Sequence, residues 1–101
     1  MSIKISISRG SIYIPSEVYD TYINGIEAII ALIRDGKLFV LPVQHVSAGG
    51  CLLKIRNARG DRVAAAQDVF AANELSDAVW SNLDVHWDSS QMALVCELPK
   101  S

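Results

Sequence analysis

The stretch Ile3–Tyr22, "IKISISRGSIYIPSEVYDTY", decides how the chain is read. Ile3, Ile5 and Ile7 alternate with Lys4 and Ser6, the period-two pattern of a strand with one buried face. Arg9-Gly10 interrupts it, since glycine accepts the positive φ of a tight turn. Ile12-Tyr13-Ile14 resumes as a short strand, and Pro15 closes it because proline cannot donate to a ladder. Ser16 fits a helix N-cap and Glu17 suits the first turn. Val18, Tyr19, Tyr22 and Ile23 share one face, so residues 16 to 23 are expected to form two turns of amphipathic helix, stopped by Asn24-Gly25.

Working outward, "IEAIIALIRDGKLFVLPV" (Ile26–Val43) places two β-rich runs around Asp35-Gly36, the composition of a tight hairpin. Pro42 falls near the end of the second run, where an edge position would accept it. "QHVSAGG", residues 44 to 50, is small and polar and reads as a linker. The order then begins again. "CLLKI" is a strand, Arg59-Gly60 a turn, Arg62-Val63-Ala64 a short strand, and residues 66 to 72 a helix with Val69 and Phe70 as its apolar pair. "LSDAVWSN" is a connection, with Trp80 either packed on the barrel or exposed as an anchor for another subunit. "LDVHWDSSQMALVCEL" is a second hairpin. Lys4, Ile5, Arg9 and Gly10 recur fifty positions on as Lys54, Ile55, Arg59 and Gly60. One domain spanning residues 1–101 is expected, with pseudo-repeats at 3–43 and 51–99.

The 101 residues are half apolar, with mean hydropathy +0.26. So small an interior cannot hide that much apolar surface, which points to self-association. No apolar run approaches the roughly 20 residues that span a bilayer. "MSIKISIS" lacks the continuous apolar segment of a signal peptide, so a cytoplasmic setting without membrane partners is expected. Cys51 and Cys96 are too few for a disulfide framework and read as reduced thiols.

Nine Lys and Arg against eleven Asp and Glu give a net charge of −2, which excludes a broadly basic coat protein. Four of the nine cations, Lys54, Arg56, Arg59 and Arg62, nevertheless fall within nine residues. With Arg9 beside the first turn glycine, they form a candidate phosphate-contacting face. The competing reading is solvated charge, or ion pairs with Asp61, Glu17 and Asp68. His45, Cys51, His86 and Cys96 are zinc-compatible types, but none has the short ligand spacing of a zinc site. His86 with Asp84 or Asp88 and a serine could be drawn as a triad, yet no local motif sets a nucleophile beside a base. No metal, cofactor or catalytic activity is expected.

"SRGSIYIPSEVY" followed by "LIRDGKLFVLP" resembles the AbrB-type swapped-hairpin (SpoVT/AbrB-like) regulators, with their turn glycine, hydrophobic-x-hydrophobic-Pro strand, short helix and hairpin. Two such units in one chain resemble the MraZ arrangement. The resemblance covers residues 3 to 43, and less closely 52 to 98, where Ala65, Ala66 and Gln67 stand in place of the proline. It implies a mainly β (α+β) fold: a small closed barrel of two interleaved strand-turn-strand-helix-hairpin pseudo-repeats. It also implies a homo-oligomeric transcriptional regulator that binds duplex DNA through Arg9, Lys54, Arg56, Arg59 and Arg62. Ser11 occupies the place of the family's arginine after the turn glycine, so the second unit, with Arg62, would lead. The alternative is a non-catalytic accessory or assembly protein that binds a partner protein through the same barrel.

Overall fold

A computed structural model describes residues 3–44 and 50–99. Its elements are β1 (Ile3–Ser8), β2 (Ser11–Ile14), α1 (Ser16–Tyr22), β3 (Ala28–Arg34), β4 (Lys37–Val43), β5 (Cys51–Ile55), β6 (Arg62–Ala65), α2 (Gln67–Ala72), β7 (Val79–Asp88) and β8 (Ala93–Glu97). The strands close into an antiparallel barrel in the order β1-β2-β6-β5-β3-β4-β8-β7. The order strand, strand, helix, strand, strand occurs twice. Exchanging β1–β4 for β5–β8 reproduces the same circular sequence of strands, so the halves interleave about a pseudo-two-fold axis. Four seams, β2–β6, β3–β5, β4–β8 and β1–β7, join one half to the other. Closure leaves no free sheet edge to template aggregation. The expected small interleaved barrel is the fold.

Period-two alternation fills the interior. Ile5 and Ile7 of β1, Ile12 and Ile14 of β2, Leu38 and Val40 of β4, and Leu94 and Cys96 of β8 are all at most 1% exposed. Val18 and Tyr19 of α1 and Phe70 of α2 join the same core. Helices of seven and six residues are too short to stand alone, so this burial is what forms them. Tyr22 stacks on Trp87 with ring centroids 6.0 Å apart, and the Tyr19 hydroxyl donates to Ile26 O at 3.0 Å, which ties α1 to the barrel and to its own exit loop. Among the described residues no polar side chain is buried, and no helix is long and apolar enough to cross a membrane.

The structure departs from several sequence expectations. The proposed linker lies, apart from its end residues Gln44 and Gly50, outside the described residues. Trp80 belongs to no connection: β7 starts at Val79, and Trp80 pairs with Ile7 and packs against the core. Ser16 is not the N-cap of α1. Pro15 holds that position, and the Ser16 amide is satisfied instead by Asp61 Oδ1 at 2.8 Å. The fifty-residue echo also fails as a structural alignment. Ser8 pairs with Ser11 across two residues, whereas Ile55 pairs with Arg62 across six. The residues of β5 that meet the core are Cys51 and Leu53, and Ile55, the apparent match of core Ile5, is 69% exposed. Pro42 is not on an edge strand, since β4 lies between β3 and β8; the β4–β8 register ends at Val40↔Leu94, so its missing N–H breaks no bond on that side.

Candidate nucleic-acid interface

The two Arg-Gly turns position the basic residues. In the first, Arg9 and Gly10 adopt φ of 50° and 85°. Arg9 N donates to Ala78 O at 2.9 Å, and Gly10 O accepts from Ala66 N at 2.8 Å. This turn is therefore fixed between the approach to β7 and the start of α2. The Arg9 side chain is exposed.

The second turn is a six-residue connection organised by two side chains. Asn57 Oδ1 accepts from the amides of Arg59 (3.1 Å) and Asp61 (3.3 Å). The Asp61 carboxylate accepts from Asn57 Nδ2 (2.9 Å), Ser16 N (2.8 Å) and Arg59 Nη2 (3.1 Å). These hydrogen bonds, led by that from Asn57, hold the Asp61 carboxyl below its usual range. Arg59 remains outward, with its side chain 79% exposed.

Beside this connection lies a groove of about 400 Å³ whose lining includes Ser6, Ser8, Tyr13, Ser81, Arg56, Arg62 and the carboxylate-bearing Asp61. The serines come from the outward positions of β1 and from β7. Ser6 sits at an irregularity in the β1–β7 register, and its hydroxyl accepts from Asn82 N at 3.0 Å. The Arg56 guanidinium lies 4.8 Å from the Tyr13 ring centroid, and that of Arg62 lies 3.9 Å from the Tyr19 centroid while donating to Gly60 O. Each guanidinium rests over an aromatic face, which restricts its freedom before any ligand arrives.

Of the five basic residues singled out from sequence, Arg56 and Arg62 line the groove, and Arg59 extends from its bordering connection. Lys54 is exposed on β5, in one register row with Ser6, Tyr13 and Val63. Arg9 stands at the opposite end of β2 from the groove arginines. The Arg59–Asp61 ion pair is the one the competing reading named, whereas the groove serines and the bonds from Asn57 and Ser16 to Asp61 were not anticipated. The only local signal was serine at the outward positions of "ISIS".

The remaining candidates are dispersed. Asp88 accepts from the Ser90 amide and hydroxyl and from Gln91, which holds its pKa down at about 2 and fixes it in the β7–β8 turn. Asp84 is bonded to Lys4 at 2.5 Å, and His86 is exposed. Burial pushes the Cys96 thiol up to about 11, and burial with Asp68 nearby raises that of Cys51. His45 lies outside the described residues. Among the described residues no three His, Cys, Asp or Glu side chains gather as a metal site.

Comparison with family models, with curated proteins and with solved structures returns no match.

Proposed function

We propose that this chain is a cytoplasmic, non-catalytic DNA-binding module that works as a homo-oligomeric transcriptional regulator. The observation that carries the reading is the groove in which Arg56 and Arg62 meet the outward serines of β1 and β7, with Arg59 and Lys54 beside it. Guanidinium groups and hydroxyls are both donors to phosphate oxygens, and prior stacking of the arginines lowers the entropy cost of using them. The resemblance of "SRGSIYIPSEVY" and the following hairpin to the AbrB-type regulators supports the same ligand. With a net charge of −2, the contact is local and affinity depends on a few phosphates, so repeated copies of the patch add through avidity.

Fluorescence polarisation with duplex DNA across a salt series tests this. Binding is expected at ~50 mM salt and falls steeply by ~200 mM. Arg56→Ala weakens binding to all sequences alike and lowers the salt slope by about one contact, while Arg9→Ala has a smaller effect. Absence of binding at ~50 mM salt overturns the reading. The accessory-protein alternative would then stand, favoured by the outward apolar residues Leu32, Ile30 and Leu41 on the first hairpin.

A further inference from the structure

The outward face of β3, β4, β8 and β7 carries chemistry that the groove does not use. In a barrel wetted outside, outward positions alternate to polar residues. Hairpin β3–β4 breaks that rule, with Ile30 opposite Leu41 and Leu32 opposite Phe39. Leu32 is 46% exposed, and Phe39 is shielded by the Arg34 guanidinium 5.3 Å from its ring centroid. Val95 continues this row onto β8, but it and Phe39 are 4% and 7% exposed, so Leu32 is the apolar side chain of the row that reaches solvent.

A row of charge runs alongside it. Arg34 pairs with Lys37, and Lys37 with Glu97. The register joining Val85 to Cys96 sets Glu97 beside Asp84 one step further. Lys37, Asp84, His86 and Glu97 line one shallow depression of about 210 Å³. Read across the four strands, the signs are plus, plus, minus, minus. The change of sign falls at the β4–β8 seam.

We infer that this face binds a second copy of the chain, face to face, about a two-fold axis running along the β4–β8 seam. That operation lays Lys37 over Glu97 of the second copy, and Arg34 over its Asp84, which Lys4 of the same chain already holds at 2.5 Å. The Lys37–Glu97 pair, made twice about the axis, is the self-complementarity that an isologous dimer needs. Four strands about 4.8 Å apart and three outward rows give roughly 400 Å² per copy, half of a standard interface, so the dimer is weak and reversible. The face lies on strands other than those of the groove arginines, so the proposal stands or falls apart from DNA binding.

Sedimentation velocity on the full chain, from ~5 to ~500 μM at low and high salt, tests it. The weight-average mass is expected to rise toward twice the 11.0 kDa of one chain, less steeply at high salt. Lys37→Glu and Glu97→Lys, each with an unchanged circular dichroism spectrum, are monomeric alone yet associate when mixed in equal amounts. Restored pairing within one chain cannot produce that rescue. A wild-type chain monomeric throughout, an undiminished Lys37→Glu dimer, or folded single variants that fail to associate on mixing would each overturn the inference.

Discussion

The two Arg-Gly turns share their letters and differ in what constrains them. A Cβ on Gly10 would stand 2.8 Å from the Gln67 Cα, a backbone atom that cannot step aside, and Gly10 has φ +85°. A Cβ on Gly60, at φ +91°, would meet nothing nearer than an arginine nitrogen at 3.4 Å. The first glycine is required by space and conformation together, the second by conformation alone. Each turn also serves the helix of the other half. Gly10 O receives Ala66 N at the start of α2, and Asp61 receives Ser16 N at the start of α1. A backbone carbonyl does in one half what a carboxylate does in the other.

The sharpest way to break that contrast is to add the methyl groups. Gly10→Ala combines left-handed strain with overpacking and should cost about 3 kcal/mol in denaturant unfolding. Gly60→Ala should cost about 1 kcal/mol, from strain alone. Equal losses would show that the Gln67 contact does not constrain the first turn.

Asp61→Ala removes the acceptor for Ser16 N and should lower the Tm by roughly 5 °C. It also releases Arg59 and deletes a negative charge beside the groove, so duplex DNA should bind several-fold more tightly at low salt. Lower stability with unchanged DNA affinity would confine Asp61 to its role at α1.

The smallest effect belongs to the turn of the second hairpin. The Asp88 pKa, depressed from 3.8 to about 2, gives stabilisation that is complete above pH ~4 and lost as pH falls toward 2. Asp88→Asn should therefore melt below wild type at pH 5, and the gap should close near pH 2. A gap that persists there would place the effect in shape rather than charge.

Much of the barrel was legible because its signals are local. Alternation in "IKISIS", the Asp35-Gly36 turn and the Pro15 stop each act within a few residues, and tertiary packing agreed with them. The failures came from contacts distant in sequence. Ile55 resembled Ile5 because both follow a lysine five residues ahead of an Arg-Gly pair, but the connection after β5 is longer and its core positions are Cys51 and Leu53. Ser16 resembled a cap until Asp61, 45 positions away, supplied the acceptor. The basic cluster could be read from its density. Its serine-lined groove could not, because Ser6, Ser8 and Ser81 come together only when β7 pairs with β1.

The interleaving of the halves has a kinetic consequence. The two hairpins of each half do not pair with each other, so β2 must find β6, β4 must find β8 and β1 must find β7, each across some fifty residues or more, before the barrel can shut. Neither half can therefore serve as a finished template for the other. The slow event in folding is expected to be the threading together of four hairpins, on the millisecond-to-second scale of non-local β topologies.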